Sequence, residues 1–406
     1  MYPEGFCDSL TRHVFWFIIF VYDFKRMKPM KYINFLIKPA SSLCQLRCRY
    51  CFYEDIAENR AEGSMGMMTR ETAQLLVDRA FEASERGGYV SFAFQGGEPT
   101  LAGLDFFRDF VAYVGEKCPP GVQTGFSIQT NGILVDDAWA KFFAQNGFLV
   151  GISMDGYKDL HDMNRVDAQG KATWNRVTKA LEALKRNKAM YNALCVVTSA
   201  CSRSPRKAYD GLKKLGVDYM QFISCLDPIG VERGSLAHSL TPDAYGKFLK
   251  QLFDVWFEDW RRGQYRSVRL FDDHVHMFTG RSAGTCSTCG RCGSYFVVEG
   301  DGGVYPCDFF VLDQWKMGTL QENTLEELAN GDAAKKFLAW GLEKPEECAG
   351  CRWRSICNGG CKNDWYNDSE GKPHNYFCES FKTYFEYAFP RLSTIAEAEL
   401  KAMRRY

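Results

Sequence analysis

From Lys31 onward the chain alternates short β-branched or aromatic runs with longer stretches in which apolar residues recur at helical spacing. The runs YINFLIKP, YVSFAFQGG, TGFSIQTNG, FLVGISMDG, NALCVVTS and YMQFISCLDP read as strands. Thr69 to Arg86, Leu104 to Lys117, Asp137 to Asn146, Thr173 to Lys188, Ser204 to Leu215 and Thr241 to Arg262 read as the helices between and after them. A hydroxyl residue followed by an acid or Pro in the first turn marks two of the starts, Thr69 with Glu71 and Thr241 with Pro242 and Asp243. Six strand–helix units in strict alternation predict a parallel sheet with right-handed crossovers. Several strands end in polar, glycine-bearing turns: Gln95-Gly96-Gly97-Glu98, Gln129-Thr130-Asn131-Gly132 and Ser153-Met154-Asp155-Gly156. Parallel α/β architectures carry their chemistry at the carboxyl ends of strands, so these turns are expected to face one mouth.

After Arg266 the alternation stops and Gly and Cys rise. Nine cysteines fall between Cys286 and Cys378, in a loop-rich region with a hairpin expected around Asp301-Gly302-Gly303. The stretch from FKTYFEYAFPRL onward reads as a closing helix. The expected organisation is an N-terminal extension over 1–30, a six-unit α/β domain over 31–265, a cysteine-rich domain over 266–385 and a C-terminal helix over 386–406.

Composition narrows the function. With 406 residues, 46% of them hydrophobic, the chain can bury a large core. Acidic and basic residues balance at 50 each with no long block of one sign, which argues against nucleic acid or an anionic membrane surface as the main partner. The 17 cysteines, an odd number gathered in short C-x2-C-like runs, point to metal ligation in a reducing compartment. HVFWFIIFVY, His13–Tyr22, is about half of the ~20 residues that span a bilayer. Only Arg12 precedes it and no small-residue cleavage site follows, so the first ~26 residues read as a dispensable extension and the protein as cytoplasmic, without stable membrane insertion. No P-loop, H-E-x-x-H or G-x-S-x-G motif supports phosphoryl transfer, zinc proteolysis or serine hydrolysis. His274 and His276 lack an adjacent ligand set and read as structural.

The motif Cys44-x3-Cys48-x2-Cys51 follows the first strand, with no fourth Cys or His nearby. By spacing alone it suits a 4Fe-4S cluster with one open iron, a zinc site completed from afar, or reactive thiols. Together with Tyr50 before the last cysteine and the Gly96-Gly97-Glu98-Pro99 turn, the chain from Lys31 to Cys378 resembles the radical S-adenosylmethionine (SAM) enzymes. That resemblance implies a partial (β/α)6 TIM-like barrel in which the three cysteines hold a 4Fe-4S cluster and SAM chelates its fourth iron. It also implies that Gly96 and Gly97 approach the methionine part of SAM and that Glu98 accepts from its ammonium. Tyr50, Gln95, Ser153, Leu226 and Arg165 are carried over as further SAM contacts. The plainer alternatives are a strand-end polar residue for Gln95, a turn serine, a core leucine and a solvated arginine.

The C-terminal cysteines resemble the SPASM extension, which holds two auxiliary 4Fe-4S clusters. The resemblance assigns Cys286, Cys292, Cys307 and Cys361 to one and Cys348, Cys351, Cys357 and Cys378 to the other. Cys289 departs from the pattern: Cys286, Cys289 and Cys292 form a C-x2-C-x2-C run that on spacing alone could itself wrap a cluster, and a pair of zinc sites is the alternative for the whole region. Of the rest, Cys118, Cys195, Cys201, Cys225 and Cys7 read mostly as small core hydrophobes.

The stretches LIKPASSLCQLRCRYCFY, FQGGEPTLAG, QTNGILVD, SMDGYKDLHDMNR, CVVTS, QFISCLDP and YPCDFF resemble the anaerobic sulfatase-maturating enzymes, which convert a Cys or Ser in a sulfatase motif to Cα-formylglycine. The resemblance implies reduction of SAM to a 5′-deoxyadenosyl radical, abstraction of a hydrogen from the target Cβ, and removal of the thiol or hydroxyl proton by Asp308. An auxiliary cluster accepts the remaining electron; a Cys target then needs hydrolysis of a thioaldehyde. Tyr53 is expected to face substrate. The implied partners are a sulfatase polypeptide and a reductant such as flavodoxin or ferredoxin, with the enzyme a monomer. Two alternatives stand beside this at the level of sequence: a SPASM enzyme cross-linking a ribosomal peptide, and a non-catalytic iron-sulfur or zinc protein.

Overall fold

The computed structural model describes residues 30–293 and 295–403. Of the expected extension over 1–30, all but Met30 lies outside the described residues, including the apolar run His13–Tyr22 and Cys7. Six strands, β1 (Met30–Ile37), β2 (Ser84–Phe94), β3 (Gln123–Thr130), β4 (Leu149–Ser153), β5 (Met190–Val197) and β6 (Tyr219–Ser224), lie side by side in chain order and all pair in parallel. The crossovers carry helices α1 (Arg70–Ala83), α2 (Leu104–Lys117), α3 (Asp137–Gln145), α4 (Trp174–Arg186) and α5 (Pro205–Lys214), and α6 (Pro242–Arg261) follows β6. The strand order is linear, so this is an α/β partial barrel that does not close on itself.

The two faces of the sheet differ in chemistry because side chains alternate along each strand. Phe35, Phe92 and Phe126 are register partners, and their rings stack in a row with Phe148 at centroid spacings of 5.9, 5.8 and 5.1 Å. Phe92 also meets Phe81 of α1 and Phe110 of α2 edge-on, so this face is the one buried under the helices. The opposite face carries Asn34, Ser91, Ser127, Gln129, Ser153, Asn192 and Gln221. There Gln129 donates to Ser153 Oγ at 3.0 Å, while Ser127 Oγ is buried without a hydrogen-bond partner. The barrel interior is therefore polar and suits a polar ligand.

Three expectations differ from the structure. The helix expected to reach Arg86 stops at Ala83, and β2 starts five residues before Tyr89, because Ser84 already pairs with Met30. Gly88 permits that extension: a Cβ there would lie 3.0 Å from the Lys31 carbonyl oxygen. The cysteine-rich region also shares the barrel's sheet. Ser267–Val268 (β7) pairs with β6, and Phe296–Val298 (β8) pairs in parallel with β1, matching Phe35 to Phe296 and Ile37 to Val298. The hairpin around Asp301-Gly302-Gly303 is present, returning through Gly303–Tyr305 (β9) to Gly318–Thr319 (β10). Finally, the closing helix α7 runs Cys378–Met403, starting before 386 and continuing through Pro390. Its stripe of Tyr384, Phe385, Ala388, Leu392 and Ile395 is buried on both sides of the proline, and that burial outweighs the lost backbone bond. Among the described residues no helix is long and apolar enough to cross a membrane.

Phe92→Ala should cost about 3–5 kcal/mol in urea denaturation, with Phe92→Leu clearly milder; equal midpoints for all three proteins would contradict the central place given to the aromatic row. The buried histidines set a pH response. Burial pulls His161 and His276 down to about 4 and His274 to about 3 from 6.5. The unfolded chain then binds more protons than the native one below about pH 6.5, so stability present at neutral pH is lost as the pH falls through that window. Urea midpoints should drop between pH 7 and pH 5, and less so in His274→Leu.

Candidate active site

The three-cysteine loop leaves the carboxyl end of β1 and is pinned by a short antiparallel pairing of Leu46–Cys48 with Arg165–Asp167, which sets Cys48 opposite Arg165. Cys51 precedes the short helix Phe52–Glu58 at its cap position. Cys44 Sγ accepts from the Leu46 amide at 3.4 Å and from Asn131 Nδ2 at 3.6 Å. Burial pushes Cys44 up to about 11 and Cys48 to about 12, and the neighbouring thiols add to both shifts. Cys51 is raised too, chiefly by burial. Thiols held in this way take up metal by releasing protons. Among the described residues no three His, Cys, Asp or Glu side chains converge on one ion. Three thiols with no fourth Cys or His nearby in sequence suit a 4Fe-4S cluster with one open iron.

The Gly-Gly-Glu turn after β2 locks against this loop. Gly97 N donates to the Ser41 carbonyl at 2.7 Å and Glu98 N to the Leu43 carbonyl at 2.8 Å. A Cβ on Gly96, whose φ is +123°, would sit 2.8 Å from the Ser41 oxygen, and one on Gly97 would overlap the Leu43 carbonyl. Glu98 is buried; one oxygen accepts from Thr100 N, Thr100 Oγ1 and Thr130 Oγ1, and the other from Asn131 N at 2.7 Å. Burial raises its pKa and these bonds oppose the rise. The carboxylate expected to receive a ligand ammonium is thus shared with donors that tie the β2 turn to the β3 turn, and through Asn131 to Cys44.

Beneath Cys48 lies a buried network. Tyr50 donates its hydroxyl to Asp155, Arg165 donates to Asp155 through Nε at 3.2 Å and Nη2 at 3.3 Å, and Val196 N donates at 3.1 Å. The guanidinium lies 5.3 Å from the Tyr50 ring centroid. Arg165 is 6% exposed, so it is not a solvated arginine. Burial disfavours its charge, and Asp155 more than offsets that, holding its pKa above the ordinary value. Ser153 is half-buried at the end of β4 and accepts from Gln129; Leu226 is half-buried in the segment after β6.

A second network connects the mouth to the C-terminal region. Lys38 N donates to the Val298 carbonyl at 2.8 Å, extending the β1–β8 ladder, and Gln95 N donates to the Ile37 carbonyl at 2.9 Å. Lys38 thus stands between Gln95 and Glu299 at the strand ends. Its ammonium, fully buried, donates to Asp308 Oδ1, and Gln95 Nε2 donates to Asp308 Oδ2 at 2.7 Å. The same ammonium lies 3.7 Å from the Tyr53 ring centroid. Tyr53 donates to Glu299, which Arg60 also reaches at 2.8 Å. Burial would push Glu299 up, but Lys38 and Arg60 hold it below its usual range. Gln95 thus serves Asp308, and Tyr53 is 2% exposed with its ring against the Lys38 ammonium. Asp155, Glu299, Arg60 and Lys38 were not singled out in the sequence; for Lys38 the signal was a charge closing the apolar run FLIKP.

The remaining cysteines fall into two sets. Burial raises Cys286 to about 11, and the charge of Cys292 adds to it; Cys286 in turn acts on Cys307 and Cys361, both raised chiefly by burial. Separately, burial raises Cys357 to about 11 with Cys348 and Cys351 adding, and Cys378 to about 12 with Cys357 among its neighbours. Cys289 donates its thiol to the Ala283 carbonyl at 3.4 Å. Cys195, Cys201 and Cys225 are core residues, and Cys118 is half-buried.

A family model for the radical SAM superfamily matches residues 39–199, and one for the SPASM iron-sulfur cluster-binding domain matches residues 286–352. The chain is 44% identical over 369 residues to the cysteine-type anaerobic sulfatase-maturating enzyme of Clostridium novyi, spanning 91% of this chain and 98% of that one. It is 32% identical over 333 residues to the serine-type enzyme of Klebsiella aerogenes, spanning 81% and 79%. The solved structure of native anSMEcpe with bound AdoMet and Kp18Cys peptide matches with a TM-score of 0.85 and 42% identity, over 90% of this chain and 99% of that one.

Arg165→Met should cost about 3–5 kcal/mol of stability, since it strands the buried Asp155 charge. Arg165→Met combined with Asp155→Asn should recover a measurable part of that loss in denaturant titrations; strict additivity of the two single changes would mean the pair is not coupled.

Proposed function

Because the chain belongs to the anaerobic sulfatase-maturating enzymes of the radical SAM superfamily, we propose that it oxidises a cysteine in a sulfatase active-site motif to Cα-formylglycine and that Asp308 is its general base. The observation that carries the role of Asp308 is its carboxylate, gripped by Lys38 and Gln95 at the strand ends that also bear the three-cysteine loop. A cysteine target is favoured because identity to the cysteine-type relatives, 44%, exceeds the 30–32% to the serine-type ones. The cofactors are SAM and 4Fe-4S clusters.

Cys44, Cys48 and Cys51 would hold the cluster that binds SAM, and the two four-cysteine sets would hold the auxiliary ones. When bound, these groups supply a radical that removes one hydrogen atom from the substrate Cβ and an acceptor for one electron. The chain's own residues do the rest. Gly96, Gly97, Ser153 and Leu226 line the turns toward which SAM would bind, while Glu98, Tyr50 and Arg165 brace the loops that orient it. Lys38 and Gln95 fix both carboxylate oxygens of Asp308, so that the base meets the substrate thiol in one orientation and takes its proton. Every cysteine among the described residues is a free thiol, which supports a reducing, cytoplasmic setting. A flavodoxin- or ferredoxin-type reductant and a monomeric enzyme complete the proposal.

Incubated anaerobically with SAM and dithionite, the reconstituted protein should convert the cysteine of a Cys-x-Pro-x-Arg peptide to the aldehyde, read by mass spectrometry, with 5′-deoxyadenosine formed alongside. Cys48→Ala should abolish both products. Asp308→Asn should lower aldehyde formation about 10²–10⁴-fold while 5′-deoxyadenosine still forms. Cleavage of SAM with the peptide untouched would refute the substrate assignment and favour a peptide cross-linking reaction.

A further inference from the structure

Two lysines that the proposed chemistry does not use, the half-buried Lys344 and the buried Lys362, lie between the two cysteine sets. Lys344 donates to the Gly290 carbonyl at 2.6 Å and the Gly341 carbonyl at 3.2 Å, with its ammonium 5.4 Å from the Trp365 ring centroid. Gly341 is packed directly on the first set: a Cβ there would be 2.9 Å from Cys292 Sγ. At the other end, a Cβ on Gly359 would lie 3.2 Å from Lys344 Cδ and 3.7 Å from Cys348 Sγ, a member of the second set. Lys344 therefore bridges the two. Lys362, next to Cys361, is 5% exposed. It donates to the Trp340 carbonyl and stands 3.8 Å from the Trp340 ring centroid and 4.6 Å from that of Trp365. Cys292, Cys348, Cys357 and Cys361 all act electrostatically on Lys344, and Cys292 acts on Lys362.

What partners these ammoniums is as informative as where they sit. Among the described residues, neither has a carboxylate within ion-pair distance. Both are held by carbonyl oxygens and indole faces, which stabilise a cation without cancelling its charge. The charge of buried Lys362 is costly unless anions face it, and those that act on it are Cys292 and, beyond ion-pair distance, Glu343; the charges facing half-buried Lys344 are those of the cysteine sets.

We propose that Lys344 and Lys362 raise the reduction potentials of the two auxiliary clusters, Lys344 acting on both and Lys362 chiefly on the one at Cys292. This rests on the assignment of the two four-cysteine sets as cluster ligands. A cation beside a cluster favours the more negative, reduced state and so makes it a better electron acceptor. The reaction needs one. After loss of a hydrogen atom from Cβ, the substrate forms its C=S bond by releasing the thiol proton to Asp308 and a single electron, which reduces an oxidised auxiliary cluster by one.

The test is a potentiometric titration of the holoenzyme followed by electron paramagnetic resonance, with iron and sulfide counted for each protein. Lys344→Met should weaken reduction of both auxiliary clusters about tenfold or more, equal to about 59 mV for a one-electron couple. Lys344→Arg should keep the wild-type values, and Lys362→Met should move one auxiliary potential more than the other. Full iron content with unmoved potentials in both Met variants would overturn the proposal and leave the ligand assignment intact. Fewer than three clusters in the wild-type chain would overturn both. Should Lys344→Met fail to hold iron, Lys362→Met decides: a lowered potential supports the proposal and an unchanged one defeats it.

Discussion

The pairing of β8 with β1 is the contact on which the site depends. It matches Ile37 to Val298 and continues through the Lys38 amide to the Val298 carbonyl. That single register places Glu299 beside Lys38, and the hairpin that follows returns Cys307 and Asp308 over the strand ends. A slip by one residue would turn Glu299 away from Lys38 and Tyr53 and leave three buried charges without their partners. The C-terminal cysteine region is therefore built into the barrel sheet, and the distance from the three-cysteine loop to Asp308 is set by backbone pairing instead of by a flexible linker.

Buried charges at the mouth occur in pairs with further hydrogen bonds. Lys38 has Asp308, Glu299 has Arg60, and Arg165 has Asp155; each carboxylate also receives a neutral donor, from Gln95, Tyr53 and Tyr50 respectively. Such pairs contribute little net stability, because desolvation offsets attraction, but removing one partner is expensive. Their effect is geometric. They fix the orientation of Asp308 and brace the loop that carries Cys48 before any ligand arrives, which is what preorganised catalysis requires.

Much of this was legible in the sequence. The alternation of apolar runs with helical periodicity made the six parallel strands legible, because each strand buries apolar side chains under helices: the aromatic row Phe35, Phe92 and Phe126 across β1 to β3, and Val150 and Ile152 in β4. The three-cysteine motif and the dense run of nine cysteines from Cys286 to Cys378 were legible because their spacing is local, while the division of that run into two sets came from the family resemblance. The hydrogen-bond partners were not. Lys38 and Asp308 are 270 residues apart, and Tyr53 and Glu299 are 246 apart. No local pattern reports a contact made by strand register, so the packing of Tyr53 on Lys38 and its bond to Glu299 were not read. The start of α7 was also placed too late: the helix begins at Cys378, ahead of the 386 boundary.

The three cysteine sites differ in how their nearby charges are balanced, and that difference has a direction. The cation nearest Cys48 is Arg165, and Asp155 neutralises it; the buried carboxylate of Glu98 acts on Cys44. Electrostatically this environment disfavours extra negative charge, so a cluster there holds an added electron weakly and gives it up readily. Lys344 and Lys362, beside Cys292 and Cys348, have no carboxylate within ion-pair distance among the described residues, although Glu343 acts on Lys362, Glu347 on Cys348 and Asp364 on Cys361 from farther away. A chemistry that must deliver an electron at one end and accept one at the other needs that asymmetry. On the proposed ligand assignment, the two lysines held by carbonyl oxygens and tryptophan faces would contribute to it on the accepting side.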